Sequence, residues 1–190
     1  DISADSRELI HNVEQAVYFG KLDGKGHLIV YRKGLENRSQ NPDIRTAYER
    51  VAPTIYALTA AIDAKDNFTF IHSMNVSKYA VMLAEVLPMS DNDIEVVRIA
   101  GMLHDIGKIS IPEHILKKTS GLTPEEYTIM KTHVENSIKM IRYLPNMDYV
   151  IPAVVAHHER YDGTGYPRGL KGTEIPLMGR ILTIADCFDA

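Results

Sequence analysis

Residues 157–167 read His-His-Glu-Arg-Tyr-Asp-Gly-Thr-Gly-Tyr-Pro, and residues 104–108 read His-Asp-Ile-Gly-Lys. Together they bring three imidazoles, a carboxylate and an ammonium into two short stretches joined by a helical pattern. A His-Asp dipeptide alone arises easily by chance. The pair of stretches, with further His and Asp residues at suitable places, is a metal-site signal.

Outward from these stretches the pattern is helical. Asn41-Pro42-Asp43 looks like a helix start, with Asn as cap and Pro in the first turn, and a long helix is expected to about Asp63. Ser90-x-x-Asp93 and Thr123-Pro124-Glu125-Glu126 are capping signatures ahead of apolar-periodic runs. Helices are expected over 72–87, 91–105, 124–143, 147–160 and 176–189. No alternating strand pattern occurs after residue 35. The fold class is mainly α, a helical bundle, preceded by a short helix-turn-strand piece.

That piece is Leu9, Ile10, Val13, Ala16 and Val17 on one helical face, the turn Asp23-Gly24-Lys25-Gly26 and a strand over His27–Tyr31. Lys33–Gln40 is polar and reads as a linker.

Composition sets bounds. A chain of 190 residues, 45% hydrophobic and 24% charged, suits one globular domain with an appended piece. Its one cysteine, Cys187, excludes an internal disulfide framework and fits a reducing compartment, so a cytoplasmic location is expected. The apolar stretch Tyr149–Ala156 is far short of a membrane span and is broken by Pro152. No signal-peptide pattern is found. The first residue is Asp, so an excised fragment is expected. A net charge of −4 argues against a polymeric nucleic-acid partner but leaves an anionic small substrate open, because divalent ions would dominate the local charge.

His-Asp-x-Gly-Lys and the His157–Pro167 stretch closely resemble the HD-GYP family of bacterial cyclic di-GMP phosphodiesterases, over about residues 50–190. A lone His on a helix is ordinarily a packed or surface residue, and His11, His27 and His114 keep that reading. The resemblance singles out His72, His104, Asp105, His133, His157, His158 and Asp186 as metal ligands. It implies one ion held by His72, His104 and Asp186, another by His133, His157 and His158, and Asp105 bridging both. Imidazole and carboxylate donors suit two divalent transition ions, iron or manganese first and zinc or nickel as alternatives. Adjacent histidines on a helix diverge by about 100°, so His157 and His158 reach one ion only if the helix ends there. Two ions roughly 3.5–4 Å apart can share a hydroxide that attacks phosphorus. Lys108 is expected to face the same cavity and steady phosphoryl charge. Asp162–Pro167 has turn composition, and the family places Gly165, Tyr166 and Pro167 beside the substrate. Arg168 and Lys171 add positive charge nearby, with surface solvation as the alternative for each.

The expected activity is hydrolysis of cyclic di-GMP to linear pGpG and onward to GMP. The alternatives are a silent metal-bound regulatory module and another HD-type nucleotide phosphohydrolase. Two departures bear on this. Some family members recruit a third ion through a Glu where this chain has Phe68, so two ions are expected. The family continues after Phe188-Asp189-Ala190 with a basic substrate-holding element. The expectation for the chain as given is metal binding with poor hydrolysis, and self-association through the last helix, whose Ile181, Ile184, Ala185 and Phe188 have core-like spacing. Residues 1–35 resemble the tail of a GGDEF domain without its catalytic core, since no Gly-Gly pair occurs. The domain plan is therefore residues 1–35 as that tail, 36–60 as linker and connecting helix, and 61–190 as an HD-GYP domain truncated at its C-terminus. Expected partners are a cyclic dinucleotide, GGDEF-domain proteins and a second copy in a homodimer.

Overall fold

The sequence around the two decisive stretches folds as helices that end where the chemistry begins. The computed structural model describes residues 44–66 and 69–190. The expected GGDEF-like tail, the polar linker, the Asn41-Pro42 helix start and Phe68 lie outside the described residues.

Among the described residues seven α-helices follow one another: α1 (Ile44–Asp66), α2 (Thr69–Glu85), α3 (Asp91–Leu103), α4 (Glu113–Leu116), α5 (Pro124–Ile141), α6 (Ile151–Ala156) and α7 (Leu177–Asp189). Short 3₁₀ turns at Ile106–Ser110, Asp148–Val150 and Gly172–Glu174 connect them. No strand occurs among the described residues, and the bundle is the mainly α fold expected.

Local chemistry sets the boundaries. Ser90 Oγ accepts from the Asp93 amide at 3.2 Å and starts α3. Thr123 and Glu126 form a reciprocal capping box, with Pro124 in the first turn of α5. Three helices are shorter than their sequence patterns. α3 stops at Leu103 instead of 105, and a 3₁₀ turn takes over, because Gly107 must press against α5. A Cβ there would sit 2.0 Å from the His133 carbonyl oxygen. α5 ends at Ile141 instead of 143. The expected 147–160 helix is α only over 151–156: Pro152 lacks an amide donor and belongs in a first turn, and the chain leaves the helix at His157.

The core lies around α3. Ile99 and Leu103 of α3, Val76 and Ala80 of α2, Ile55 and Ile62 of α1, Val154 of α6 and Leu182 of α7 are all buried. Small residues let α2 and α3 approach closely, with Ala80, Ala84 and Ala100 fully buried. Truncating such a core leucine costs about 2–5 kcal/mol. On α7, Ile181 and Ala185 are buried while Ile184 and Phe188 are exposed, so part of the apolar face lies open as expected. Phe188 meets the Tyr79 ring edge-on, with centroids 5.0 Å apart. The connecting helix α1 is tied to the site side of the bundle, where Lys65 Nζ donates to the Ile109 carbonyl at 2.8 Å and also to that of Ile111.

Candidate metal centre

The 3₁₀ turn after α3 is fixed by one hydroxyl. Ser137 Oγ of α5 donates to the His104 carbonyl at 2.8 Å and accepts from the Gly107 amide at 2.8 Å. This pins the backbone on both sides of Asp105 while its side chain enters the interior.

Three histidines are oriented alike. Nδ1 of His104 lies 2.8 Å from the Gly101 carbonyl, that of His133 lies 2.7 Å from Met130, and that of His157 lies 2.5 Å from Val154. A carbonyl accepts only, so each Nδ1 carries the proton and each Nε2 turns a lone pair inward. His72 differs: its Nδ1 faces the Asp189 carboxylate at 2.9 Å. α6 ends where the sequence requires, and the rings of His157 and His158 come to a 4.0 Å centroid separation.

The seven residues named from the sequence converge as two sets of donor atoms. Asp105, His133, His157 and His158 form one, and His72, His104 and Asp186 the other, each with its donor atoms mutually within 4.8 Å. Asp105 stands between them. Its Oδ1 lies 3.3 Å from His133 Nε2. Its Oδ2 lies 3.3 Å from His104 Nε2 and 3.9 Å from His72 Nε2. Asp186 Oδ1 is 3.1 Å from His72 Nε2.

The centre is buried: His72, His104, Asp105, His133 and His157 are all nearly inaccessible. Nε2 of His104, His133 and His157 and Oδ1 of Asp105 are buried without a hydrogen-bond partner. Leaving one such atom unsatisfied costs about 1–3 kcal/mol, so four of them turned into the two donor sets fit bound cations that would be their partners. The donor set of imidazoles and carboxylates suits a divalent transition ion.

Electrostatics prepare these donors. Burial holds His133 and His157 below the usual imidazole value, with the neighbouring imidazoles adding to it for His157, and takes His158 down to about 4. They are therefore neutral at pH 7 and keep their lone pairs. Burial opposes ionisation of Asp105, yet the polar surroundings supplied by His104, the Lys108 ammonium and His133 hold it well below the usual carboxylate range. For His72, burial is outweighed by the carboxylates of Asp186 and Asp189, and its pKa rises.

Lys108 reaches the cavity from a 3₁₀ turn rather than from a continued α-helix, and its Nζ lies 2.6 Å from Asp105 Oδ2. The loop from His157 to Leu170 is organised around Glu159, a buried carboxylate that the sequence reading passed over. It accepts from the amides of Arg168 at 2.6 Å, Gly169 at 3.2 Å and Leu170 at 2.9 Å. Gly165 packs directly on this segment, where a Cβ would lie 2.3 Å from the Arg160 nitrogen. Tyr166 consequently stacks on the His158 ring at 4.8 Å, and the following peptide to Pro167 is cis. The Arg168 guanidinium is ion-paired with Glu135. His114 is exposed and stands apart from both sets. The Ser137 and Glu159 supports leave no periodic signal; only adjacency to a histidine pair marks Glu159.

A family model described as HD domain matches residues 53–190. The chain is 40% identical over 144 residues to the cyclic di-GMP phosphodiesterase response regulator RpfG of Xanthomonas campestris, covering 75% of this chain and 38% of that protein. It is 43% identical over 128 residues to a cyclic di-GMP phosphodiesterase of Thermotoga maritima, covering 66% and 35%. It is 35% identical over 167 residues to 3′3′-cGAMP-specific phosphodiesterase 2 of Vibrio cholerae, covering 86% and 31%. The chain spans about a third of the length of these curated relatives. With the match across residues 53–190 and the two donor sets on one carboxylate, the chain belongs to the HD domain family, as an HD-GYP member.

Proposed function

We propose that this protein is a metal-dependent phosphodiesterase that opens a cyclic dinucleotide, cyclic di-GMP first, to linear pGpG and onward to GMP. The observation that carries this reading is Asp105, whose two oxygens face two separate groups of inward-turned donors. His133, His157 and His158 would hold one ion with Oδ1, and His72, His104 and Asp186 the other with Oδ2. Iron or manganese fits best, with zinc or nickel as alternatives. When bound, a divalent pair polarises phosphoryl oxygens and lowers the pKa of water.

The protein's own groups do the rest. Neutral His133, His157 and His158 keep lone pairs for the ions, and the burial of His104, Asp105, His133 and His157 keeps bulk water from them. Lys108 offers an ammonium at the mouth of the site, where it can move from Asp105 toward an anionic phosphoryl oxygen as charge develops. Tyr166 stacks on His158, and with Gly165 and Pro167 it would form the rim on that side. Arg168 is engaged by Glu135, so we assign it to holding the loop rather than to substrate. The relatives named for cyclic di-GMP and for 3′3′-cGAMP point to the cyclic dinucleotide class.

No helix among the described residues is long and apolar enough to cross a membrane. A cytoplasmic location fits a chain whose one cysteine, Cys187, is free and exposed. Exposed Ile184 and Phe188 on α7 offer an apolar surface for a second copy or for a GGDEF-domain protein. The test is direct: protein loaded with manganese or iron is incubated with cyclic di-GMP and, separately, with 3′3′-cGAMP, and products are resolved by chromatography. Linear dinucleotide from either supports the reading. A chain that is fully metal-loaded yet leaves both substrates intact sinks it and leaves a metal-bound regulatory module.

A further inference from the structure

Three of the buried histidines fix their inward tautomer with a carbonyl from their own helical turn. His72 does not. Its Nδ1 lies 2.9 Å from Asp189 Oδ2, across the packing of α2 on α7, while its Nε2 lies 3.1 Å from Asp186 Oδ1. Asp186 and Asp189 are one turn apart on α7, so a single helix face grips the imidazole from both edges. The Asp189 side chain is only 10% exposed, so the contact is shielded from solvent. A carboxylate facing a ring N–H does two things a carbonyl does less well. It carries full charge, which makes the opposite nitrogen a stronger donor, and it can hold the ring from outside its own helix.

We propose that Asp189 is a positioning residue for His72, making the two halves of the centre unequal in metal affinity and tying the C-terminal turn of α7 to one half alone. This rests on the reading of the centre as a two-ion site. Asp189 touches no other residue of either donor set in the contacts that orient the histidines: His104, His133 and His157 are held by Gly101, Met130 and Val154. Its loss should therefore weaken one ion and spare the other, which a general loosening of the fold would not do.

The experiment titrates the metal-free 190-residue chain with manganese by calorimetry and compares wild type, Asp189→Asn, Asp189→Ala and His72→Ala, with circular dichroism checking the fold. Wild type should show two binding steps. Asp189→Asn keeps the size and a hydrogen-bonding group but not the charge, and should weaken one step by roughly 10- to 100-fold, the usual effect of removing a carboxylate behind a metal-bound imidazole. The other step should stay where it was. Asp189→Ala should weaken the same step at least as much. In a His72→Ala background Asp189→Asn should have no further effect, because its influence runs through that ring. Two unchanged steps in both Asp189 variants, or two equally weakened ones, would overturn the inference while leaving the two-ion reading intact. A wild type that takes up no manganese would overturn both.

Discussion

The two halves of the centre are built by different means. His72, His104 and Asp186 stand on α2, at the end of α3 and on α7, helices fixed by the packing of Val76, Leu103 and Leu182. His133, His157 and His158 combine α5 with the C-terminal end of α6 and a loop held by Glu159 and Gly165. The first half takes its helix positions from apolar burial, which is broad and redundant, with Asp189 as a polar brace on His72. The second depends on a few polar contacts, which are directional and easily broken singly. Asp105, on a pinned turn between them, has one oxygen facing each set, and on the proposed reading it joins the two into one centre.

The largest catalytic effect belongs to the group that lies at the seam but need not ligate. Lys108→Ala should retain both ions and lower turnover by roughly 10- to 1000-fold, the scale of losing one charged contact to the transition state. Steady-state kinetics with metal analysis on the same sample checks it. Loss of ions would place Lys108 in the construction of the centre instead of its chemistry.

Glu159 tests the weaker half alone. Glu159→Gln removes the charge and one of the two acceptor oxygens facing three amides, and should lower unfolding stability by about 1–3 kcal/mol in urea. Manganese should be weakened at one step, and at a different step from the one Asp189 governs. If the same step weakens, the halves are not separable as described.

A smaller effect is expected from pH. In the metal-free chain, His133, His157 and His158 resist protonation when folded, His158 until about pH 4, whereas the unfolded chain takes up protons near 6.5. The unfolded state therefore binds more protons in that window. Stability should be greatest above pH 6.5 and fall as pH drops toward 4. His72, whose pKa is raised, works in the opposite sense as one group against three. Melting temperatures across pH 4–8 read the balance; a melting temperature that rises on acidification would contradict it.

How much of this was legible in the sequence follows the same division. The helices were readable from apolar spacing and from Ser90 and Thr123, because capping chemistry is local. The convergence of seven donors was readable only through the family resemblance, since His72 and Asp186 lie far apart in the chain and no periodicity marks them. The ends of α3 and α6 were misjudged by two to four residues: the close approach of Gly107 to α5 and the exit at His157 are tertiary constraints. Ser137 and Glu159 were missed because a single hydroxyl or carboxylate pointing inward looks, in sequence, like any surface residue. Ile184 and Phe188, apolar residues at core-like spacing, lie exposed, as expected for part of the face of the last helix.

The central claim is that one carboxylate joins two metal-binding halves, and elemental analysis of purified Asp105→Ala tests it most directly. Wild type, and His114→Ala with its exposed imidazole as the control, should each carry about two first-row transition ions per chain. Asp105→Ala should carry close to none while remaining folded by circular dichroism. An Asp105→Ala protein that keeps both ions would show that the two donor sets do not depend on that bridge, and the account of the centre would be wrong.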